Sequence, residues 1–404
     1  MFEKRIKTHH SAMAEGKKYV RGVKKVVELL DMPNEKDKNS QLNSTIYIHV
    51  PFCSKICSFC NMRRSLQKPN EEYHNLVIKE IEEYGKLNYI KNTTFEAIYF
   101  GGGTPTTLST DALRSILRAI HANFNLSENV EITIETTVSE LSDEKIVMFK
   151  EEGVNRLSIG VQTFNDKGRA IMGRKGNGQK AYDKLKQLKD YGFKTISMDL
   201  IYNYPGQNIE DLLEDLNKIV ALDLNGFSMY SLIDMKETKI SNAQGRENDN
   251  LMFETIVSYM ENAGYKFLEL TKMVKDDEYK YVMNRHKGVD TLPLGAGAGG
   301  SVNGLMLMNP IELDKYEDSI KKFKERQGML FASSYKEIVK FKGDIQTIYL
   351  PKNESLYKNK AEYNRLLNEL LINEYVIKDN LGYRLTTKGI FWGNTISREL
   401  SALI

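Results

Sequence analysis

Between residues 45 and 232 the chain alternates short β-branched or aromatic runs with amphipathic segments of helical period. The runs 45–50, 95–100, 130–136, 156–161, 194–201 and 226–232 fit strands. Segments 71–88, 110–123, 142–151, 179–191 and 208–222 repeat apolar residues at helical spacing. Strands separated by helices cannot pair as tight hairpins, so these units build a parallel sheet. A partial barrel and a doubly wound sheet both satisfy the pattern.

The chain has 404 residues. A single core stops growing near ~250–300 residues, so one large domain and a smaller one are expected. The divisions expected are a helical segment 1–44, with a helix over 14–30 and a loop over 34–44, and the alternating unit 45–235. A glycine-rich region 236–333 completes the barrel, with a helix over 248–263 and a strand over 266–270. A C-terminal module 334–404 follows. In that module a helix over 363–372, a small hairpin of 376–378 with 383–385, and a helix over 386–400 give a winged-helix-like order. Hydrophobic residues make up 41% and charged residues 27%, which excludes disorder as the main state. With 57 basic against 54 acidic side chains, net charge gives no reason to expect nucleic acid. The start MFEKRIKTHH lacks the apolar run of a signal peptide. Residues 291–311 carry no charge and could span a bilayer by length, but they contain five glycines and two prolines. They read as a buried loop region, and the protein as cytoplasmic, with no membrane partner.

All three cysteines fall in the octapeptide CSKICSFC, as Cys53, Cys57 and Cys60. Three unrelated thiols would not be confined to eight residues. A structural zinc wants four ligands and could borrow His49. An iron–sulfur cluster is usually held by four thiolates; three would leave one iron open to a substrate or cofactor. The cysteines follow the first strand at its C-terminal end, where parallel sheets and barrels build active sites. Other polar residues share that edge. The second strand runs into Gly101-Gly102-Gly103-Thr104, the third ends at Glu135, the fourth at Gln162, and the fifth and sixth carry Asp199 and Tyr230. Each alone has an ordinary structural explanation; together they mark a site.

These residues carry a family resemblance. YIHVPFCSKICSFC, residues 47–60, resembles the CxxxCxxC motif of radical S-adenosylmethionine (SAM) enzymes, in the form seen in oxygen-independent coproporphyrinogen III oxidases and their relatives. GGGTPT, Glu135, Gln162 in GVQTF, Arg174 in MGRK and Asp199 in MDLIYNYPGQ follow in that family's order. The resemblance covers residues 45–303 and, more weakly, the C-terminal module. It implies an α/β fold, a partial (β/α)6 TIM-like barrel with a C-terminal helical, winged-helix-like module. It also implies that Cys53, Cys57 and Cys60 hold a [4Fe–4S] cluster whose open iron takes the amino and carboxylate groups of SAM. One electron then releases a 5′-deoxyadenosyl radical. Phe59 would pack near adenine. Gly102, Gly103 and Thr104 would meet the methionine part, Glu135, Gln162 and Asp199 the amino group and ribose, and Arg174 the carboxylate. A low-potential donor such as a flavodoxin would supply the electron.

Within the group, no cysteine follows Cys60, unlike the decarboxylating members. LPLGAGAGGSVNG, residues 292–304, resembles the glycine-rich segment of anaerobilin synthases, with Gly299-Gly300 where chaperone-like relatives tend to have Ala-His. MGRKG (172–176) and SMYSL (228–232) lean the same way, whereas Asn61-Met62 departs from the expected Gly-Phe. The resemblance thus implies haem opening to a linear tetrapyrrole with methyl transfer and iron release, by two SAM molecules since no cysteine is left to carry a methyl group. A haem chaperone and a C-methyltransferase with another substrate are the alternatives. Arg63, Arg64 and Arg285 are candidates for haem propionates, and His9, His10 and His286 for iron, each against the alternative of a solvated surface. Tyr47 and Tyr230 are the candidates for proton or hydrogen-atom relay in the barrel. Gly295-x-Gly297-x-x-Gly300 formally matches a dinucleotide fingerprint, yet it runs into Ser-Val-Asn-Gly rather than a helix. The half P-loop of Gly173 to Gly178 lacks Lys-Ser/Thr and is rejected.

Overall fold

The computed structural model describes residues 1–7, 16–32, 42–60, 71–233, 246–351 and 354–404. His9, His10, Arg63, Arg64 and the Asn61-Met62 pair lie outside the described residues.

The strands are β1 Val20–Lys25, β2 Leu42–Val50, β3 Thr93–Gly102, β4 Asn125–Thr137, β5 Arg156–Gln162, β6 Thr195–Tyr202 and β7 Gly226–Ser231. They continue with β8 Lys266–Glu269, β9 Lys272–Val274, β10 Asp290–Leu294, β11 Gly299–Val302, β12 Leu305–Met308 and β13 Gln327–Phe331, then β14 Val376–Asp379 and β15 Gly382–Leu385. Among the described residues, the first thirteen form one sheet in the order β1-β13-β12-β11-β10-β2-β3-β4-β5-β6-β7-β9-β8. Strands β2 to β7 are parallel and lie side by side in chain order. That order is a partial (β/α)6 barrel and excludes the doubly wound alternative, in which the order reverses at a switch point. Strand β10 adds a further parallel strand beside β2.

Alternation along each strand makes two faces. In β2 and β3, Ile46, Ile48, Val50, Phe95, Ile98 and Phe100 join the large core beneath the helices. Ala97 and Tyr99 instead form a separate cluster with Tyr281, against which Tyr47 and Tyr279 pack. The helices bury the stripe their period predicts. Helix Thr110–Asn123 starts where the Ser109 side chain accepts from the Ala112 N–H and buries Leu113, Ile116, Leu117 and Ile120. Helix Ile209–Ala221 opens with a capping box between Asn208 and Asp211.

Three expectations change. The described part of 14–30 is not one helix: β1 pairs antiparallel with β13, and only Val26–Leu30 is helical. Residues 291–311 are not a loop but supply most of β10, all of β11 and all of β12. Their glycines permit close strand approach: a Cβ on Gly300 would collide with the Thr291 carbonyl of β10. The run after Gly300 continues as β11, which removes the dinucleotide reading. In the C-terminal part, helix Lys360–Ile372 and the β14–β15 hairpin have the expected order, but 386–400 is two helices, Thr387–Phe391 and Gly393–Ser401. Among the described residues, no helix is long and apolar enough to cross a membrane.

Candidate active site

The cysteine loop leaves β2 through Pro51 and Phe52, and the glycine loop leaves β3 beside it. The two are stitched together: the Gly103 N–H donates to the Val50 carbonyl at 2.8 Å, and the Thr104 N–H to the Phe52 carbonyl at 2.8 Å. A Cβ on Gly103 would strike the Phe52 carbonyl and stand 3.0 Å from the Cys53 sulfur. Glycine is therefore what lets the loops touch. A turn from the Cys60 N–H to the Cys57 carbonyl, 3.2 Å, shapes the rest of the loop.

These loops border a cavity of about 290 Å³ at the C-terminal ends of the parallel strands. Cys53, Cys57, Cys60, Phe59, Gly102, Gly103, Thr104, Glu135, Gln162, Arg174, Asp199 and Tyr230 all line it. The three thiols are half-buried. Among the described residues, no three His, Cys, Asp or Glu side chains converge on one point that could hold a single metal ion. His49 is not with the thiols: it is buried, its Nδ1 is 2.9 Å from the Tyr47 hydroxyl, and its ring packs under Gly102. The zinc reading therefore loses its fourth ligand. Three thiols spread round one cavity suit a polynuclear cluster, whose irons are ligated at separate corners.

Arg174 reaches into the same wall. One terminal nitrogen donates to the Cys57 sulfur at 3.2 Å and the other to the Gly160 carbonyl, while its Nε is buried without a partner. Arg174 lines the cavity, and a guanidinium there with a buried N–H lacking a partner fits an anionic ligand group, because such a donor is costly to leave unmade. Arg169, which sequence reasoning missed, staples this loop. Its buried guanidinium donates to the carbonyls of Val161, Thr163, Lys175 and Gly176. Gln162 sits at a bulge between β5 and β6 with φ +75°, a strained conformation for a side chain other than glycine.

Two carboxylates face the cavity. Burial pushes the Glu135 carboxyl up to about 7, opposed by hydrogen bonds from Tyr99 at 2.6 Å and the Gly102 N–H at 3.3 Å, while the Asp199 charge raises it further. Burial also raises Asp199, opposed by Lys272, Arg156 and Arg174. A zwitterion with an ammonium group finds both signs of charge here. Tyr230 is 42% exposed but desolvated by the surrounding protein, the situation of a side chain in a concavity. Tyr47 does not line the cavity; it stacks on Tyr281 at 6.0 Å instead.

Below the cavity lies a charged floor that the sequence pattern did not reveal. Arg156 donates two hydrogen bonds to Asp277 at 2.9 and 2.8 Å, and Lys272 lies 3.2 Å from the same carboxylate. All three are buried, and Tyr279 covers Arg156 at 4.2 Å. A signal existed: Arg156 opens a strand in which every residue is buried, a place where a charge is rare unless paired.

A family model described as the Radical SAM superfamily matches residues 47–219. The chain is 30% identical over 380 residues to the heme chaperone HemW of Lactococcus lactis, covering 88% of this chain and 97% of that protein. It is 28% identical over 377 residues to the anaerobilin synthase of Escherichia coli O157:H7, covering 89% of this chain and 84% of that one. The solved coproporphyrinogen III oxidase (HemN) from Escherichia coli superposes with a TM-score of 0.75 over 89% of both chains at 22% identity, a likeness of fold. The chain belongs to the radical SAM superfamily, whose members use a [4Fe–4S] cluster and SAM. Within it, the chain falls in the group that includes HemW, anaerobilin synthase and coproporphyrinogen III oxidase.

Proposed function

We propose that this protein opens haem anaerobically to a linear tetrapyrrole, with methyl transfer from SAM and release of iron. The observation that carries the reading is the glycine pair Gly299-Gly300 in β11. The family resemblance implies Ala-His at this place in chaperone-like members, whereas the backbone here has no room for a Cβ at Gly300. The likeness to anaerobilin synthase over 84% of that protein's length supports it.

In this reading Cys53, Cys57 and Cys60 ligate the cluster. Arg174 orients the SAM carboxylate with its free Nε–H, and Glu135 and Asp199 receive the ammonium and ribose groups. Gln162 adds a neutral amide, Gly102, Gly103 and Thr104 bring backbone close to the methionine part, and Phe59 flanks the adenine. When bound, cluster and SAM together supply a 5′-deoxyadenosyl radical by one-electron cleavage of the sulfonium bond. Tyr230 keeps its proton, since burial raises its hydroxyl, and stands in the cavity as the proton or hydrogen-atom donor. Tyr47 lies outside the cavity lining with its hydroxyl 2.9 Å from His49 Nδ1, so it is not the hydrogen-atom donor in this reading. With the three cysteines committed, the methyl donor is a second SAM. The electron comes from a low-potential carrier such as a flavodoxin, and the site belongs in a reducing cytoplasm.

A second reading has its own support: the 30% identity to a heme chaperone. The two separate in one anaerobic experiment. The cluster-loaded protein is given haem, SAM and a low-potential reductant, and the Soret band and free iron are followed. The enzyme reading expects the band to vanish and iron to appear. A chaperone would hold the haem with its spectrum unchanged.

A further inference from the structure

Arg285 stands apart from the cofactor cavity and has no role in the mechanism above. It lies on helix Lys280–His286, one turn beyond Tyr281. This helix is pinned from several sides. The N–H groups of Lys280 and Tyr281 donate to Glu131 at 3.0 and 3.3 Å, Asn284 donates to Glu96 at 3.1 Å, and His286 meets Glu269 at 2.9 Å. Glu131, Glu96 and Glu269 are thereby taken. Arg285 makes no ion pair with a carboxylate among the described residues.

Its surroundings are aromatic and phenolic. Tyr47, Tyr281 and Tyr99 form a stack with near-parallel planes, Tyr99 to Tyr281 at 4.6 Å and 21°, Tyr47 to Tyr281 at 6.0 Å and 18°. The Arg285 guanidinium is 5.6 Å from the Tyr281 ring. Solvent reaches Arg285, yet the surrounding protein desolvates it, and its electrostatic partners are the tyrosines 281, 47 and 279. That combination belongs to a side chain in a concavity, not on a convex surface. A desolvated guanidinium without a carboxylate, on a rigid helix, beside phenol donors, is preorganised for one ligand chemistry.

The geometry points to Arg285, with Tyr47 and Tyr281, as a receptor for a carboxylate carried on a planar aromatic body. Under the haem reading, on which this assignment of the ligand rests, the carboxylate is a propionate. The stacked tyrosines meet the hydrocarbon around it, and Arg285 fixes which edge of the macrocycle faces the cofactor cavity.

The test uses the full-length protein and two probes. The first is 3-phenylpropionate, followed by the NMR signal of the Arg285 side-chain N–H. A saturable shift that is absent with 3-phenylpropionamide and lost in Arg285→Gln is expected. The second is haem against its dimethyl ester. Arg285→Gln should weaken haem binding roughly ten- to hundredfold and leave the ester unchanged, with Arg285→Lys partly restoring haem. Iron content and SAM affinity should stay at wild-type values, which shows that the variant folds. If haem fails to bind wild-type protein while phenylpropionate shifts Arg285, the haem reading falls and the carboxylate receptor stands. No shift with phenylpropionate, or equal losses for haem and its ester, overturns the receptor.

Discussion

The Tyr99 hydroxyl donates a 2.6 Å hydrogen bond to Glu135, tying the tyrosine cluster to the wall of the cofactor cavity. The other oxygen of the same carboxylate receives the Gly102 N–H of the glycine loop. Glu135 is thus positioned by two neighbouring elements while its charge stays costly. Several outcomes depend on that balance.

The first concerns pH. Glu135 has an ordinary value of 4.5 and is raised to about 7, chiefly by burial. The folded chain then holds this proton more tightly than the unfolded chain. Its contribution to stability is present below the unfolded value and is lost as pH rises through about 7. Thermal melts of the metal-free protein should show this loss, and Glu135→Gln should flatten it. Binding of SAM should run the opposite way, because its ammonium wants the ionised carboxylate. Calorimetry should find affinity weakened by up to roughly tenfold between about pH 8 and about pH 6. The Glu135→Gln variant should lack that slope.

Gly103→Ala should damage the cysteine loop without touching a thiol. The added methyl group meets the Phe52 carbonyl, which is backbone and cannot swing away. We expect about 1–3 kcal/mol of destabilisation and a large fall in iron and sulfide per chain after reconstitution. Wild-type iron content would contradict the close approach of the two loops.

Cys57→Ala should abolish cluster assembly and SAM cleavage together. Iron and sulfide analysis should drop from about four of each per chain to background. Asp199→Asn should keep the iron and lose SAM affinity; unchanged affinity would remove Asp199 from the site.

The charged floor gives a stability prediction. Asp277→Asn leaves Arg156 and Lys272 buried together without their shared carboxylate. Breaking such a group costs about 3–5 kcal/mol, measured as a lower denaturant midpoint. Acid should not do the same near neutrality, because the two cations hold the Asp277 carboxyl well below the usual carboxylate range. The wild-type pairing therefore persists until pH falls far below neutral.

How much of this was legible in the sequence follows from the kind of signal each residue carries. The six central strands and their helices were readable because each buries a face whose period shows in the apolar pattern. The cavity lining was readable because the chemistry sits at strand ends, and the family motifs mark them in order. The segment 291–311 was misread because glycines that serve close strand approach look like loop residues until the neighbouring strand is known. Strand β1 was missed because an edge strand takes its stability from pairing with β13, some 300 residues away. The floor of Arg156, Lys272 and Asp277 brings together three elements, so no local pattern contains it. The surroundings of Tyr47 depend in part on a residue distant in sequence: its hydroxyl meets His49 and its ring the distant Tyr281, whereas Tyr230 lines the cavity.

The most direct test of the account is the fate of a labelled methyl group. The reconstituted protein is incubated without oxygen with haem, a low-potential reductant and SAM deuterated in its methyl group, and the tetrapyrrole and nucleosides are read by mass spectrometry. The account predicts a metal-free linear tetrapyrrole carrying label from the SAM methyl group, with 5′-deoxyadenosine and S-adenosylhomocysteine both formed. Haem recovered intact and unlabelled, while SAM is still cleaved, would contradict it.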